Sequence, residues 1–316
     1  MTITQLQYLI AVAEHQNFTI AAEKSFVTQP TLSMQISKLE EELNVKIFDR
    51  GTKPIKLTEV GAKIVEQARK VVIEAERMQD IVSIEKGFIG GPYRLGIIST
   101  VMPTLLPMFL STFVKRYPKV NLIIRELTTD EILTGLREGK LDAAIAATPL
   151  ETSDLIERPL YYEPFVGYLP EGHRLNDKVE LKAEDLNLEE VLLLQDGHCF
   201  RDNILNLCDM NLNNRDKKFT IESGSFETLV QLSDERMGMT LLPYLHTLGL
   251  KENQKKGLKH FEKPEPAREI SLIYSKSELK IQITEALREV IGGIIRGAIS
   301  FHDVQIISPK QKERFR

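Results

Sequence analysis

The apolar residues of this chain change their spacing once, at Gly90-Gly91-Pro92. Upstream they recur every three or four residues, the period of an amphipathic helix. Downstream, short apolar runs alternate with helical stretches, the pattern of a mainly parallel sheet with crossover helices. One uniform domain cannot carry both periods. The chain calls for a helical front end, a break and an α/β body, and its 316 residues suffice for two or three domains. With 42% hydrophobic and 27% charged residues it is not a disordered chain. No stretch of eighteen apolar residues offers a membrane span, and the first residues lack the basic start of a secretory signal. A cytoplasmic location is therefore expected, with no membrane partner. The net charge of -4 gives no hint of nucleic acid, although a whole-chain sum can hide a local patch.

The front end reads as helices. Leu6, Leu9, Ile10 and Ala13 mark one apolar face, and Asn17 precedes a short helix from Thr19 to Phe26. Pro30 suits a first helical turn and Thr28 suits its cap. The helix from Thr31 to Leu43 then turns Leu32, Ile36, Leu39 and Leu43 inward. Gln29, Thr31, Ser33, Gln35 and Lys38 face out, short or polar groups able to read base edges. Two helices joined by a tight turn make a helix-turn-helix pattern. The run from Ile47 to Thr58 reads as strand, basic turn and strand, the shape of a wing, with Arg50, Lys53 and Lys56 along it. An ordinary small helical domain with a solvated charged face fits the pattern about as well.

From about Thr58 to Glu85 one helix is expected. Ile64, Ala68, Val71, Ala75, Met78 and Val82 alternate in steps of four and three, a coiled-coil seam of nearly three heptads. Lys86-Gly87 and Gly90-Gly91-Pro92 end it in a hinge.

Beyond the hinge the expected strands include Tyr93–Ile98, Val120–Leu127, Leu141–Ala146, Phe165–Tyr168, Val191–Leu194, Lys218–Glu222, Met239–Leu242 and Glu269–Tyr274. Helices are expected at Leu105–Tyr117, Thr129–Glu138, Phe226–Met237 and Lys280–Ile295, and a frayed basic tail at 309–316. No glycine run has phosphate-binding spacing.

The two cysteines fall in one segment, Gly197 to Cys208. Cys199 is expected at a helix N-terminus, where the dipole, His198 and Arg201 would lower its pKa. Cys208 is expected to be buried among apolar residues. Nine helical residues advance about 13.5 Å, whereas a disulfide needs Cα atoms within about 7 Å. The two sulfurs can bond only if the helix between them comes apart. Two unrelated buried thiols remain an open alternative. Only His198 lies near, so no metal site is expected, and no cofactor.

The run AAEKSFVTQPTLSMQISKLEEELNVKIFDRGTKPIKLTEVG resembles the winged helix-turn-helix of LysR-type transcriptional regulators. The matching parts are Ala21-Ala22, Gln29-Pro30, Ser33, Ile36, Leu39-Glu40, Phe48, Arg50, Leu57-Thr58 and Gly61. Asn44 departs from the usual Gly, mildly, because Asn tolerates a left-handed helix end. The resemblance implies an N-terminal all-α winged domain (1–58), a linker and dimerisation helix (59–87), and a regulatory domain (88–316). The last would be an α/β, periplasmic-binding-protein-like domain with lobe I at 93–162 and 269–303 and lobe II at 163–268. It implies Gln29, Pro30, Thr31, Ser33, Gln35, Lys38, Arg50, Lys53 and Lys56 as contacts to double-stranded DNA half-sites. RNA polymerase is the implied further partner. Ligands of such folds sit between the lobes, where Ser99, Thr100 and Thr129 fit.

The block Leu194-Gln195-Asp196-Gly197-His198-Cys199-Phe200-Arg201-Asp202 is similar to the hydrogen peroxide-sensing members of that family. The similarity implies Cys199 as the oxidised thiol and Cys208 as its resolving partner. It implies Thr100, Thr129, His198, Arg201, Asp202 and Arg268 around the peroxide, with Arg268 pairing Asp202. It implies a homotetramer, a dimer of dimers, and a regulator rather than an enzyme. Lys218 stands where His is common. A metabolite-responsive regulator and a thiol peroxidase are the alternatives.

Overall fold

The computed structural model describes residues 1–85, 89–150, 152–208, 223–299 and 304–309. Lys86-Gly87, the strand Lys218–Glu222 and the tail from 310 onward lie outside the described residues. The chain forms two compact units, one of residues 1–88 with 137–140 and the other of residues 89–136 and 141–316.

The first unit is helical. Helix α1 (Ile3–His15) starts in a capping box between Thr2 and Gln5. Helix α2 (Phe18–Lys24) is capped by Asn17, whose side-chain Oδ1 accepts from Thr19 N and Ile20 N. Helix α3 (Gln29–Leu43) is capped by Thr28, carries proline in its first turn and ends on Asn44 at φ 52°. Strands β1 (Phe48–Asp49) and β2 (Lys56–Leu57) form an antiparallel hairpin, and α4 (Glu59–Glu85) follows. Leu6, Leu9, Val12, Leu32, Ile36 and Leu39 build the core. Leu43, expected inward, is exposed because it is the last residue of α3. The stripe on α4 divides. Ala68 is buried in the core of its own unit with Ile64 and Val71 packed against it, and the neighbouring Val65 and Val72 join that core, whereas Met78 and Val82, with Ile81 beside them, are about half exposed or more.

The second unit is built on one sheet. Its elements are β3 (Gly91–Ile98), α5 (Met102–Arg116), β4 (Val120–Leu127), α6 (Thr129–Arg137), β5 (Ala143–Thr148) and the long β6 (Leu155–Tyr168). There follow β7 (Val191–Leu192), α7 (Cys199–Leu207), α8 (Phe226–Asp234), β8 (Met239–Pro243), α9 (Tyr244–Thr247) and α10 (Glu252–Lys255). Then come β9 (Leu258–Lys259), β10 (Glu265–Ser275), α11 (Ile281–Ala298) and β11 (Val304–Ile306). The strand order is β4-β3-β5-β10-β6-β8-β7, with β11 beside β10 and β9 beside β6.

Two hydrophobic cores lie along this sheet. One gathers Leu95, Ile97, Phe109, Ile145, Leu272 and Leu287. The other gathers Phe165, Leu192, Phe200, Ile204, Leu229 and Leu241. Strand β6 supplies residues to both cores, and β10 pairs antiparallel with it from Ala267 to Ser275. Both strands are longer than their apolar runs, because Glu163, Arg268 and Glu269 interrupt the pattern while staying in the ladder. The unexpected element is β11. It pairs parallel with β10, Glu265 opposite Val304 and Ala267 opposite Ile306.

Candidate functional site

Cys199 opens α7 and is buried, with His198 as the N-cap. The helix crosses the lobe boundary in its first turn. Cys199 packs in the first core, while Phe200 and Cys208 pack in the second. Both cysteines are free thiols, and α7 is intact between them with Cys208 as its C-cap. The geometry holds the sulfurs at opposite ends of the helix, as the spacing argument requires.

The environment of Cys199 pulls both ways. Burial pushes the thiol above its ordinary pKa, and the Asp202 carboxylate adds to that. The Arg268 guanidinium, the Thr129 hydroxyl and the backbone N–H of Ala147 favour the thiolate. Desolvation is the largest of these, so the resting thiol is less acidic than the helix N-terminus alone suggested. Arg201 does not take the expected part. It donates to Leu194 O at 3.2 Å and pairs with Asp196 at 2.9 Å. His198 is held below its ordinary pKa by burial and is neutral at pH 7, with Nδ1 3.1 Å from Ser99 Oγ. Among the described residues burial alone acts on Cys208, and its thiol is pushed up to about 12.

The positive charge comes from Arg268 on β10, which is fully buried. Its Nε and Nη2 donate to Glu163 Oε2 at 3.0 and 2.7 Å. Its Nη1 donates to Thr100 Oγ1 at 2.9 Å and its Nη2 to Thr100 O at 3.1 Å. The guanidinium also lies 5.0 Å from the Phe200 ring centroid. The expected carboxylate was Asp202; the one that takes two of its donors is Glu163 on β6, which sequence reasoning missed. A signal existed: Glu163 interrupts the apolar run from Leu160 to Tyr168, and a charge inside such a run needs a partner. The other Glu163 oxygen accepts from Leu245 N at 3.0 Å, which ties α9 to the same charge. Thr129 Oγ1 is buried beside the sulfur and makes no hydrogen bond of normal geometry.

In the first unit Gln29, Pro30, Thr31 and Lys38 lie exposed on α3, and Lys53 and Lys56 are exposed on the hairpin. Gln35 is partly engaged, its Oε1 accepting from Gln5 Nε2 at 3.2 Å. Arg50 is structural as much as exposed. It donates to Ser33 Oγ, Ser37 Oγ and Glu40 Oε2 at 3.3, 3.1 and 3.1 Å. Glu40 is buried, and its Oε1 accepts from Ile47 N and Phe48 N. This carboxylate fixes the hairpin to α3.

A helix-turn-helix unit followed by a two-lobed α/β unit with a buried thiol at the lobe boundary defines a ligand- or redox-responsive DNA-binding regulator. Residues 3–62 match the bacterial regulatory helix-turn-helix protein model of the lysR family, and residues 86–293 match the LysR substrate binding domain. The chain belongs to the LysR family of transcription regulators, which are DNA-binding proteins rather than enzymes. It is 36% identical to the DNA-binding transcriptional dual regulator OxyR of Escherichia coli over 299 residues, 93% of this chain and 97% of that one. A hydrogen peroxide-inducible genes activator of Pectobacterium carotovorum is also 36% identical, over 93% of this chain and 98% of its own length. Among solved structures, a full-length OxyR variant from Pseudomonas aeruginosa superposes with a TM-score of 0.75 at 33% identity, covering 92% of this chain and 98% of that one. A hydrogen peroxide-bound OxyR mutant from Corynebacterium glutamicum gives 0.61 at 30% identity, covering 94% and 93%.

Proposed function

We propose that this OxyR-like regulator senses hydrogen peroxide at Cys199 and is switched by a Cys199–Cys208 disulfide. The carrying observation is the placement of the two thiols on one helix, each packed in the core of a different lobe. The Cys199 thiolate attacks one peroxide oxygen. An S–O bond forms, the O–O bond breaks, and the departing hydroxide takes a proton and leaves as water. Cys208 sulfur then attacks the sulfenic sulfur. The S–S bond forms, the S–O bond breaks and a second water leaves. The two thiols lose two electrons in all, and the peroxide gains them.

Arg268 offsets part of the cost of the buried thiolate. The unsatisfied Thr129 hydroxyl can donate to or accept from a peroxide oxygen beside the sulfur. Thr100 and His198 are positioning residues, one through Arg268 and the other through Ser99. Disulfide formation unwinds α7, and the second lobe repacks.

The DNA contacts are the exposed edge of α3, at Gln29, Pro30, Thr31 and Lys38, with the β1–β2 hairpin as a wing presenting Lys53 and Lys56 to phosphates. Ser33, Gln35 and Arg50 hold that surface in shape. The exposed end of α4 pairs subunits, the assembly is a tetramer, and it acts in the cytoplasm on RNA polymerase at its promoters. Footprinting on a target promoter, with and without peroxide, tests the reading. The protected half-sites should change spacing, and Cys199→Ser should freeze the reduced pattern. An unchanged footprint with unchanged transcription would overturn it.

A further inference from the structure

The helix that separates the thiols also holds down the C-terminal strand. Asn203 and Asn206 stand three residues apart on one face of α7, both between Cys199 and Cys208. Asn203 Nδ2 donates to Ile307 O at 2.6 Å and Asn206 Nδ2 donates to Ser308 O at 2.8 Å. Ile307 packs against the second core, and Pro309 is buried. On its other side the segment is held by the three-residue pairing of β11 with β10 and by Ile307 N donating to Ala267 O at 2.8 Å.

A three-residue parallel pairing is marginal on its own. The two side-chain amides give the adjoining carbonyls, at Ile307 and Ser308, their partners inside the protein, and carbonyls left there without partners are costly. Those amides keep their aim only while α7 is helical. We propose that residues 304–309 form a strap latched on the reduced α7 and released when the disulfide forms. The inference rests on the switch proposed above. Unwinding α7 withdraws both amides at once, and the weakly paired strand detaches from β10. Linkage makes the coupling reciprocal: a latched strap stabilises helical α7 and so opposes disulfide formation.

Hydrogen exchange on the full chain, with thiol alkylation on the same samples, tests this. After peroxide treatment, peptides covering 304–309 should exchange about tenfold faster or more, while peptides of α5 stay unchanged. A complete disulfide with an unchanged tail overturns the strap and leaves the sensing reading standing. Absence of any disulfide overturns both, and alkylation reports it separately. Two variants probe the reverse direction. Asn206→Ala removes one latch from the helix side. Ile307→Pro removes the N–H donated to Ala267 and changes no residue of α7 itself. With lobe I protection as the check on folding, each should loosen the tail in the reduced protein and speed disulfide formation about threefold or more. Unchanged disulfide rates in both variants overturn the coupling.

Discussion

At the scale of single residues, the sensing end rests on the fully buried Arg268–Glu163 pair. A buried pair broken on one side leaves an uncompensated charge. Arg268→Ala should therefore destabilise the protein by about 3–5 kcal/mol in denaturant unfolding, with Glu163 left buried without its cation. It should also slow Cys199 oxidation, since the cation that favours the thiolate is gone. Arg268→Lys keeps the charge but not the fork that spans Glu163 and Thr100, so an intermediate rate is expected. Wild-type oxidation in Arg268→Ala would show that the guanidinium serves the fold alone.

The thiols themselves set a pH dependence. Both are raised in the folded chain, chiefly by burial. The unfolded thiols ionise first, so the folded state is favoured below the ordinary thiol pKa and loses that advantage as pH rises. For Cys208 the loss runs from about 9 to about 12. Unfolding midpoints of the reduced protein should fall across that window, and Cys208→Ala should flatten the slope. A Cys208→Ala profile parallel to wild type would contradict the assignment.

At the scale of elements, Glu40 shows how a buried carboxylate sets local geometry. It accepts from two backbone N–H groups of the chain entering β1 and from Arg50 on the hairpin. Glu40→Ala orphans both N–H groups and leaves Arg50 its bonds to Ser33 and Ser37, and should cost about 2–4 kcal/mol in thermal unfolding while weakening DNA binding. If its binding isotherm matched wild type, the hairpin would not need this anchor. Glu40 stands four residues after Ile36, so its spacing puts it on the inward face, but nothing in the spacing names the N–H groups and the Arg50 that its carboxylate meets. The same divide runs through the whole sequence reading. The start of α4 and both ends of β4 were legible, because a sustained apolar period and a Pro-Lys turn fix them locally. Cys199 at a helix start was legible for the same reason, whereas the places of Thr100 against Arg268 and of Thr129 beside the sulfur depend on contacts between distant segments. Glu163 with Arg268 was not, since 105 residues separate the partners. Nor was β11, whose three residues gain their shape from β10 and from the amides of α7.

At the scale of the whole molecule, the unanswered surface is the far half of α4. Val65, Ala68 and Val72 are consumed by the core of their own unit, so that half of the helix needs no second chain. Met78, Ile81 and Val82 are different. They lie three and four residues apart, hence on one face, and are 68%, 49% and 52% exposed. Three large apolar groups on one stripe are an interface signature rather than scattered surface residues, and Met78 and Val82 continue the four-and-three spacing of Ile64, Ala68, Val71 and Ala75. The reading of α4 as both core helix and pairing helix then assigns each function to its own half. Replacing Met78 and Val82 by Lys should leave the N-terminal core intact, because neither residue enters it. Sedimentation should show a fall in oligomer mass at micromolar concentration. Binding to a two-half-site operator should lose its cooperativity, since the coupling between sites is carried by the paired helices. A variant that kept the wild-type mass and cooperative binding would place the pairing surface elsewhere on the chain.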